Sequence, residues 1–126
     1  MREIDPAPLL DTNTEKGSKL INTAEALYFS GNNKCTLVYF ANGEILETHH
    51  LIKWYEKLLP DPLFCRCHKS FIVNCACIHC VNGKNFVLKN DVMIPISATY
   101  REYALYIYEL FTRYGKPDVS GVPSKV

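Results

Sequence analysis

From Gly17 onward, short runs of alternating apolar and polar residues are broken by turn-forming pairs. Residues 18–21 read as a strand, followed by a brief turn or helical piece over 22–25. Further runs at 26–30, 34–40 and 44–48 are separated by Gly31-Asn32-Asn33 and by Ala41-Asn42-Gly43. Asn-Gly between two β-rich runs signals a hairpin, because both central residues of the tightest such turn take positive φ. The signal recurs at Asn82-Gly83, between runs at 78–81 and 86–88. Two segments change period. Residues 50–59 place Leu51, Trp54, Tyr55 and Leu58 at helical spacing, with Thr48 available as a cap and Pro60 beyond the end. Trp54 reads as core. Residues 98–114 repeat the pattern over a longer span: Tyr100, Tyr103, Ala104, Ile107, Leu110 and Phe111 form one stripe, Ser97 suits the N-cap and Gly115 the stop. The pattern predicts a mainly β domain over 17–114 with a short internal helix and a C-terminal helix. Residues 1–16 and 115–126 carry Pro, Gly, Asp and Asn without sustained period and read as flexible tails.

A length of 126 residues with 48% apolar and 21% charged residues suits one globular domain. No stretch approaches the ~18–20 uninterrupted apolar residues of a membrane helix, and no apolar leader follows Met1. Both features make the expected setting cytoplasmic, without membrane insertion. Net charge is only +1, but its distribution is uneven. Residues 1–61 hold six bases and nine acids, whereas residues 62–90 hold no acid and carry Arg66, Lys69, Lys84 and Lys89 with His68 and His79. A nearly neutral chain with one acid-free basic stretch can meet a polyanion with one face only.

Cys35, Cys65, Cys67, Cys75, Cys77 and Cys80 raise a metal or redox reading. Without a secretion signal, six cysteines read as reduced thiols rather than as a disulfide framework. If residues 75–79 are extended, Cys75, Cys77 and His79 share one face at about 6.5–7 Å spacing. Two thiolates on one zinc must lie within roughly 4 Å of each other. The spacing therefore argues against zinc, and no metal or other cofactor is expected. Cys67 and His68 are adjacent and face opposite sides of a strand, so neither activates the other. No nucleophile elbow, phosphate-cradling Gly loop or carboxylate pair is present, and the chain does not read as an enzyme.

The stretch from Pro60 to Asn74, PDPLFCRCHKSFIVN, carries the most information. Phe64, Arg66, His68, Lys69, Ser70, Phe71, Ile72, Val73 and Asn74 resemble, in order, the signature of LytTR-type DNA-binding domains, with Cys65 in the slot before Arg66. The flanks are similar too: residues 20–29 look like the family's opening strand and turn, 44–59 its hairpin and helix, and 94–97 its closing strand. The resemblance covers about residues 17–112. It implies an elongated, mainly β domain of three small antiparallel sheets with helices at the margins. It also implies sequence-specific binding of bacterial promoter DNA as a transcriptional regulator, with loops at one sheet edge reading adjacent major grooves.

Carried over position by position, the resemblance makes Lys34, preceded by Asn32 and Asn33, and Lys69 the base-reading candidates, since Lys can donate to guanine O6 and N7. Arg66, His68, Ser70 and Lys89 become phosphate candidates. Where many members have an Arg after the closing strand, this chain has Ala98, followed by Thr99 and Arg101, which become the DNA-contact candidates on that side together with Asn33 beside Lys34. Phe64, Phe71, Ile72 and Val73 belong to a core strand, and Asn74 reads as a turn former. The implied partner is double-stranded promoter DNA with paired repeats. A homodimer on DNA and a regulatory protein partner stay open, the aromatic C-terminal stripe offering a surface for either. The alternative is a protein-interaction domain of the same fold with weakened DNA binding, as the low net charge and Ala98 suggest.

Overall fold

The computed structural model describes residues 6–115. Strands β1 (Leu9–Thr14) and β2 (Gly17–Asn22) form a hairpin. A five-stranded sheet, in the order β5-β4-β3-β7-β6, is built from β3 (Ala26–Gly31), β4 (Thr36–Phe40), β5 (Ile45–Thr48), β6 (Phe64–His68) and β7 (Phe71–Asn74). Helix α1 (Ile52–Leu58) connects β5 to β6. A three-stranded sheet follows, in the order β10-β9-β8, from β8 (Ile78–Asn82), β9 (Asn85–Leu88) and β10 (Met93–Pro95). Helix α2 (Arg101–Leu110) and a wider turn over Phe111–Gly115 end the described chain. Every strand pairing is antiparallel, so the three-sheet, mainly β architecture matches the expectation.

Period-two alternation in β6 and β7 divides the interior into two cores. Phe64 and Ile72 face α1 and the β1–β2 hairpin, where they join Leu10, Ile21, Phe29, Val38, Ile52 and Tyr55. Cys65, Cys67 and Val73 face the other way, toward the three-stranded sheet and α2, with Phe86, Leu88, Ile94, Ala104 and Ile107. A bulge at Cys67 shifts the β6–β7 register between Arg66 and His68. Two Asn-capped single turns restart the chain after strands. Asn22 Oδ1 accepts from the Ala24 amide (3.1 Å) and Asn74 Oδ1 from the Ala76 amide (3.0 Å). The Asn74 amide also donates to Ala26 O, which ties the turn to β3.

Several expectations are corrected. Leu9–Thr14 is a paired strand rather than part of a flexible tail. Its inward positions are Leu10 and Thr12, both buried, and Thr12 Oγ1 donates to Lys19 O. Residues 1–5, and the tail expected beyond Gly115, lie outside the described residues. The buried stripe of α1 is Ile52, Tyr55 and Leu59; Leu51 and Leu58 are exposed and Trp54 is only partly buried. Thr48 is no cap, because Leu51 occupies that position without a side-chain bond. Cys75–Cys77 is a 3-10 turn rather than extended chain, so the face-sharing argument drawn from strand geometry does not apply to it. Both Asn-Gly hairpins exist, but only the glycines take positive φ. In the β8–β9 turn Gly83 (φ 62°) is the first central residue, as in a II′ turn.

A buried hydroxyl relay fixes α1 to the sheet. Tyr55 OH donates to Thr48 Oγ1 (2.6 Å), Thr48 Oγ1 to Thr36 O (3.0 Å), and Thr36 Oγ1 to His50 O (2.8 Å). Burial pushes the Tyr55 phenol up to about 12. Tyr55→Phe leaves Thr48 still bonded and is expected to cost about 1 kcal/mol. Thr48→Val orphans a buried phenol and is expected to cost more, about 1–3 kcal/mol. Urea unfolding midpoints check the order; equal costs would contradict the penalty assigned to the orphaned phenol, and no cost from either would place the relay outside the stability of the domain.

Candidate functional site

Strand direction brings one set of loops to a common edge, and hydrogen bonds fasten each loop to the next. The β8–β9 turn meets the segment leading into α2, through Ile96 N to Lys84 O (2.7 Å) and Arg101 Nη1 to Gly83 O (3.1 Å). That segment meets β6 through Ser97 N to Cys67 O (3.0 Å). The β6–β7 turn meets the β3–β4 loop through Gly31 N to Ser70 O (2.8 Å). Beyond it, the β5–α1 junction binds the β1–β2 tip through His49 N to Asn13 O (2.8 Å) and Asn13 N to His50 Nε2 (3.2 Å).

Charge separates along the strand axis. These loops and the adjoining first helical turns carry Lys16, Lys34, Lys53, Lys69, Lys84 and Arg101 against Glu15 and Glu102. The opposite ends of the strands and the adjoining last turn of α1 carry Glu25, Glu44, Glu56, Asp61 and Asp91 against Lys57 and Lys89. Backbone bonds from Ala41 N to Glu25 O, Cys75 N to Leu63 O and Lys89 N to Cys77 O bring that second set together. A net charge of +1 therefore conceals a basic edge and an acidic one.

The β6–β7 turn is a two-residue connection, Lys69-Ser70, between paired His68 and Phe71. Neither central residue takes positive φ, so the turn lacks the backbone geometry of the favoured hairpin types. Side chains hold it instead. His68 Nδ1 accepts the Ser70 amide (3.0 Å), and Arg66 donates from Nε to His68 O (2.9 Å) and from Nη2 to Lys69 O. Arg66 Nη1 bonds Glu56 of α1, and the guanidinium lies 5.4 Å from the centre of the Tyr100 ring. In the β3–β4 loop, Asn32 Oδ1 accepts the amides of Lys34 (2.7 Å) and Cys35 (2.9 Å), which sets Asn33 and Lys34 at an exposed tip. A methyl group at Gly31 would lie 2.7 Å from Ile52 Cβ, so a glycine is needed where this loop packs on α1.

Of the expected contact residues, Lys34, Lys69, Asn33, His68, Ser70, Thr99 and Arg101 lie on this edge. Two expectations are corrected. Arg66 is 6% exposed and spends its donors inside the protein, so it braces the turn rather than offering a free cation to phosphate. Lys89 lies at the far end of β9, beside Cys77. Lys84, Lys53 and His49 belong to the edge and went unidentified. The signals available were the Gly83-Lys84 turn and the start of α1. Ala98 and Thr99 are exposed, and Ser97 Oγ accepts the Tyr100 amide (3.3 Å), opening the turn before α2.

The thiols divide by depth. Burial pushes the Cys67 thiol well up, and the hydrogen bond with Cys75, then burial, do the same for Cys65. Cys67 Sγ lies 3.5 Å from Pro95 O. Among the described residues no group of three His, Cys, Asp or Glu is placed to hold a metal ion, and no helix is long and apolar enough to cross a membrane.

A family model for the LytTr DNA-binding domain matches residues 16–105. Among solved structures, the LytTr DNA-binding domain of a methyl-accepting/DNA response regulator from Bacillus cereus is similar, with 25% identity and a TM-score of 0.66. The match covers 79% of this chain and 94% of that one. No curated protein matches.

Arg66→Met removes the donors from two turn carbonyls and is expected to destabilise the domain by about 1–3 kcal/mol. In hydrogen exchange the Ser70 amide should lose protection before the β3 amides do; unchanged Ser70 protection would count against the brace. In native protein Cys80, exposed, should react with a thiol reagent while Cys65, Cys67 and Cys75 react only on unfolding. Rapid labelling of Cys67 in the native state would contradict its placement.

Proposed function

The chain belongs to the LytTr DNA-binding domain family, and from that premise we propose that it regulates transcription by binding double-stranded promoter DNA through the basic loop edge. The observation that carries this reading is the coincidence, at one edge, of the tips bearing Lys34 and Lys69 with an excess of bases over acids. The two tips are neighbours, joined by the Gly31–Ser70 bond. Each presents a flexible cationic donor from a backbone that is itself fixed. Such donors can reach guanine O6 and N7 in a major groove, while Lys84, Lys53, Arg101 and the exposed amides of the loops hold phosphates and set register. Thr99 and Ala98 offer methyl groups to thymine at the α2 side of the edge.

No recognition helix takes part: α1 and α2 pack against the sheets, and loops do the reading. Paired repeats in the target would let two copies sit side by side, with Tyr103 and Tyr106, both exposed on α2, available to a second copy or a regulatory protein. Promoter DNA as the ligand places the working protein in the cytoplasm. An interaction domain with weakened DNA contact is the competing reading, favoured by Ala98.

Salt-dependent binding to duplexes separates the two, since a DNA binder loses affinity steeply as salt rises. Lys34→Ala and Lys69→Ala should each reduce discrimination between a selected duplex and a scrambled one by about 1–3 kcal/mol. Lys89→Ala, at the opposite end, should change neither. Equal effects of all three variants, or none from Lys34 and Lys69, would contradict the assignment.

A further inference from the structure

Two histidines of the basic edge serve the same purpose. His68 Nδ1 accepts the Ser70 amide at 3.0 Å, and His50 Nε2 accepts the Asn13 amide at 3.2 Å. An imidazole nitrogen accepts a hydrogen bond only while it carries no proton. Each ring therefore fastens a loop in its neutral form. His68 closes the turn that presents Lys69, and His50 pins the β1–β2 tip to the β5–α1 junction.

The surroundings favour that form at His50. Its ring stacks on Trp54 with centroids 3.6 Å apart and planes 6° apart, and the Tyr55 ring meets it edge-on at 6.1 Å. His49 is the charged neighbour that acts on it, Thr36 supplies only a hydroxyl to its carbonyl, and β1 supplies only the Asn13 amide. Burial, and then the His49 charge, lower the His50 pKa below the usual value. The latch is therefore complete above about pH 6.5, the ordinary imidazole value, and is lost as pH falls through the lower folded value. Around His68, Arg66 donates to its carbonyl, Lys69 follows in the chain, and the Phe71 ring lies 5.3 Å away.

We propose that His50 and His68 are positioning residues for DNA reading: neutral acceptors that hold the contact loops, so that sequence discrimination falls on acidification while affinity for any duplex rises. The inference rests on the DNA-binding reading given above. Protonation turns each acceptor into a donor and sets N–H against N–H, which frees the Ser70 and Asn13 amides. It also adds positive charge along the edge, which strengthens the sequence-independent attraction to phosphates. The loosened turn no longer holds Lys69 in a fixed pose, and base contact suffers. Discrimination and bulk affinity then move in opposite directions, which general destabilisation would not produce.

The test uses the full chain, the tightest duplex selected from a random-sequence pool near neutral pH, and a shuffled duplex of the same composition. Between about pH 7.5 and 5.5 the affinity ratio should fall about tenfold while shuffled-duplex affinity rises. His68→Asn places an oxygen where Nδ1 accepts the Ser70 amide and does not titrate, so it should retain discrimination and flatten the pH profile. His68→Ala should lose discrimination at both ends. Trp54 is the sole tryptophan, so its emission in free protein should be quenched by the stacked imidazolium on acidification, and not in His50→Gln. Intact binding with a pH-independent ratio overturns the proposal whatever the fluorescence does. No salt-dependent binding to any duplex at either pH overturns the DNA reading, and this inference with it.

Discussion

A guanidinium with 6% exposure inside a small β domain sets the terms for the rest of the fold. Removing such a charge from water costs several kcal/mol unless its donors are matched. Arg66 meets that requirement with Glu56 on α1, the carbonyls of His68 and Lys69 in the β6–β7 turn, and the face of Tyr100 before α2. Helix, strand, turn and the approach to α2 thus share one side chain. Among the described residues no buried side-chain nitrogen or oxygen lacks a partner, so the arrangement is fully satisfied. Its yield is geometric: a turn with no favoured backbone type is held in one conformation.

That constraint gives an otherwise ordinary charge pattern its direction. The strands are four to six residues long except for the three-residue β10, so each turn lies close to both neighbouring turns of its sheet. Because all pairings are antiparallel, successive turns alternate between the two ends, and the chain places an excess of bases at one and an excess of acids at the other. On the proposed reading, a polyanion would meet a row of fixed backbones carrying exposed Lys side chains. The fixed part would limit the entropy lost on binding, and the side chains would reach bases.

Much of this was legible in the sequence, and the exceptions share a cause. Strand runs and Asn-Gly turns located most of the sheets because half-buried strands impose a period of two. β1 escaped because Thr12 fills an inward position where an apolar residue would have marked the period. The apolar Leu51 and Leu58 suggested the wrong face of α1, since the burial of Ile52, Tyr55 and Leu59 depends on how the helix lies on β3 and β7. Arg66 looked like a surface base. Alternation with Phe64 sets its face; what no local pattern encodes is that Glu56, the turn carbonyls and the Tyr100 ring converge there to cover the charge. Lys89 and not Lys84 was the expected phosphate contact, yet the four residues of β9 put Lys84 at the basic edge and Lys89 at the opposite end.

The central claim is that the edge carrying the β3–β4, β6–β7 and β8–β9 turns is the DNA face. An amide chemical-shift map of the full chain, titrated with a selected duplex, tests it most directly. The largest shifts should cluster at residues 32–35, 49–50, 68–70, 83–84 and 97–101, while Glu25, Glu44, Asp61 and Lys89 stay unperturbed. Shifts centred on that second set, or spread over both ends alike, would contradict it.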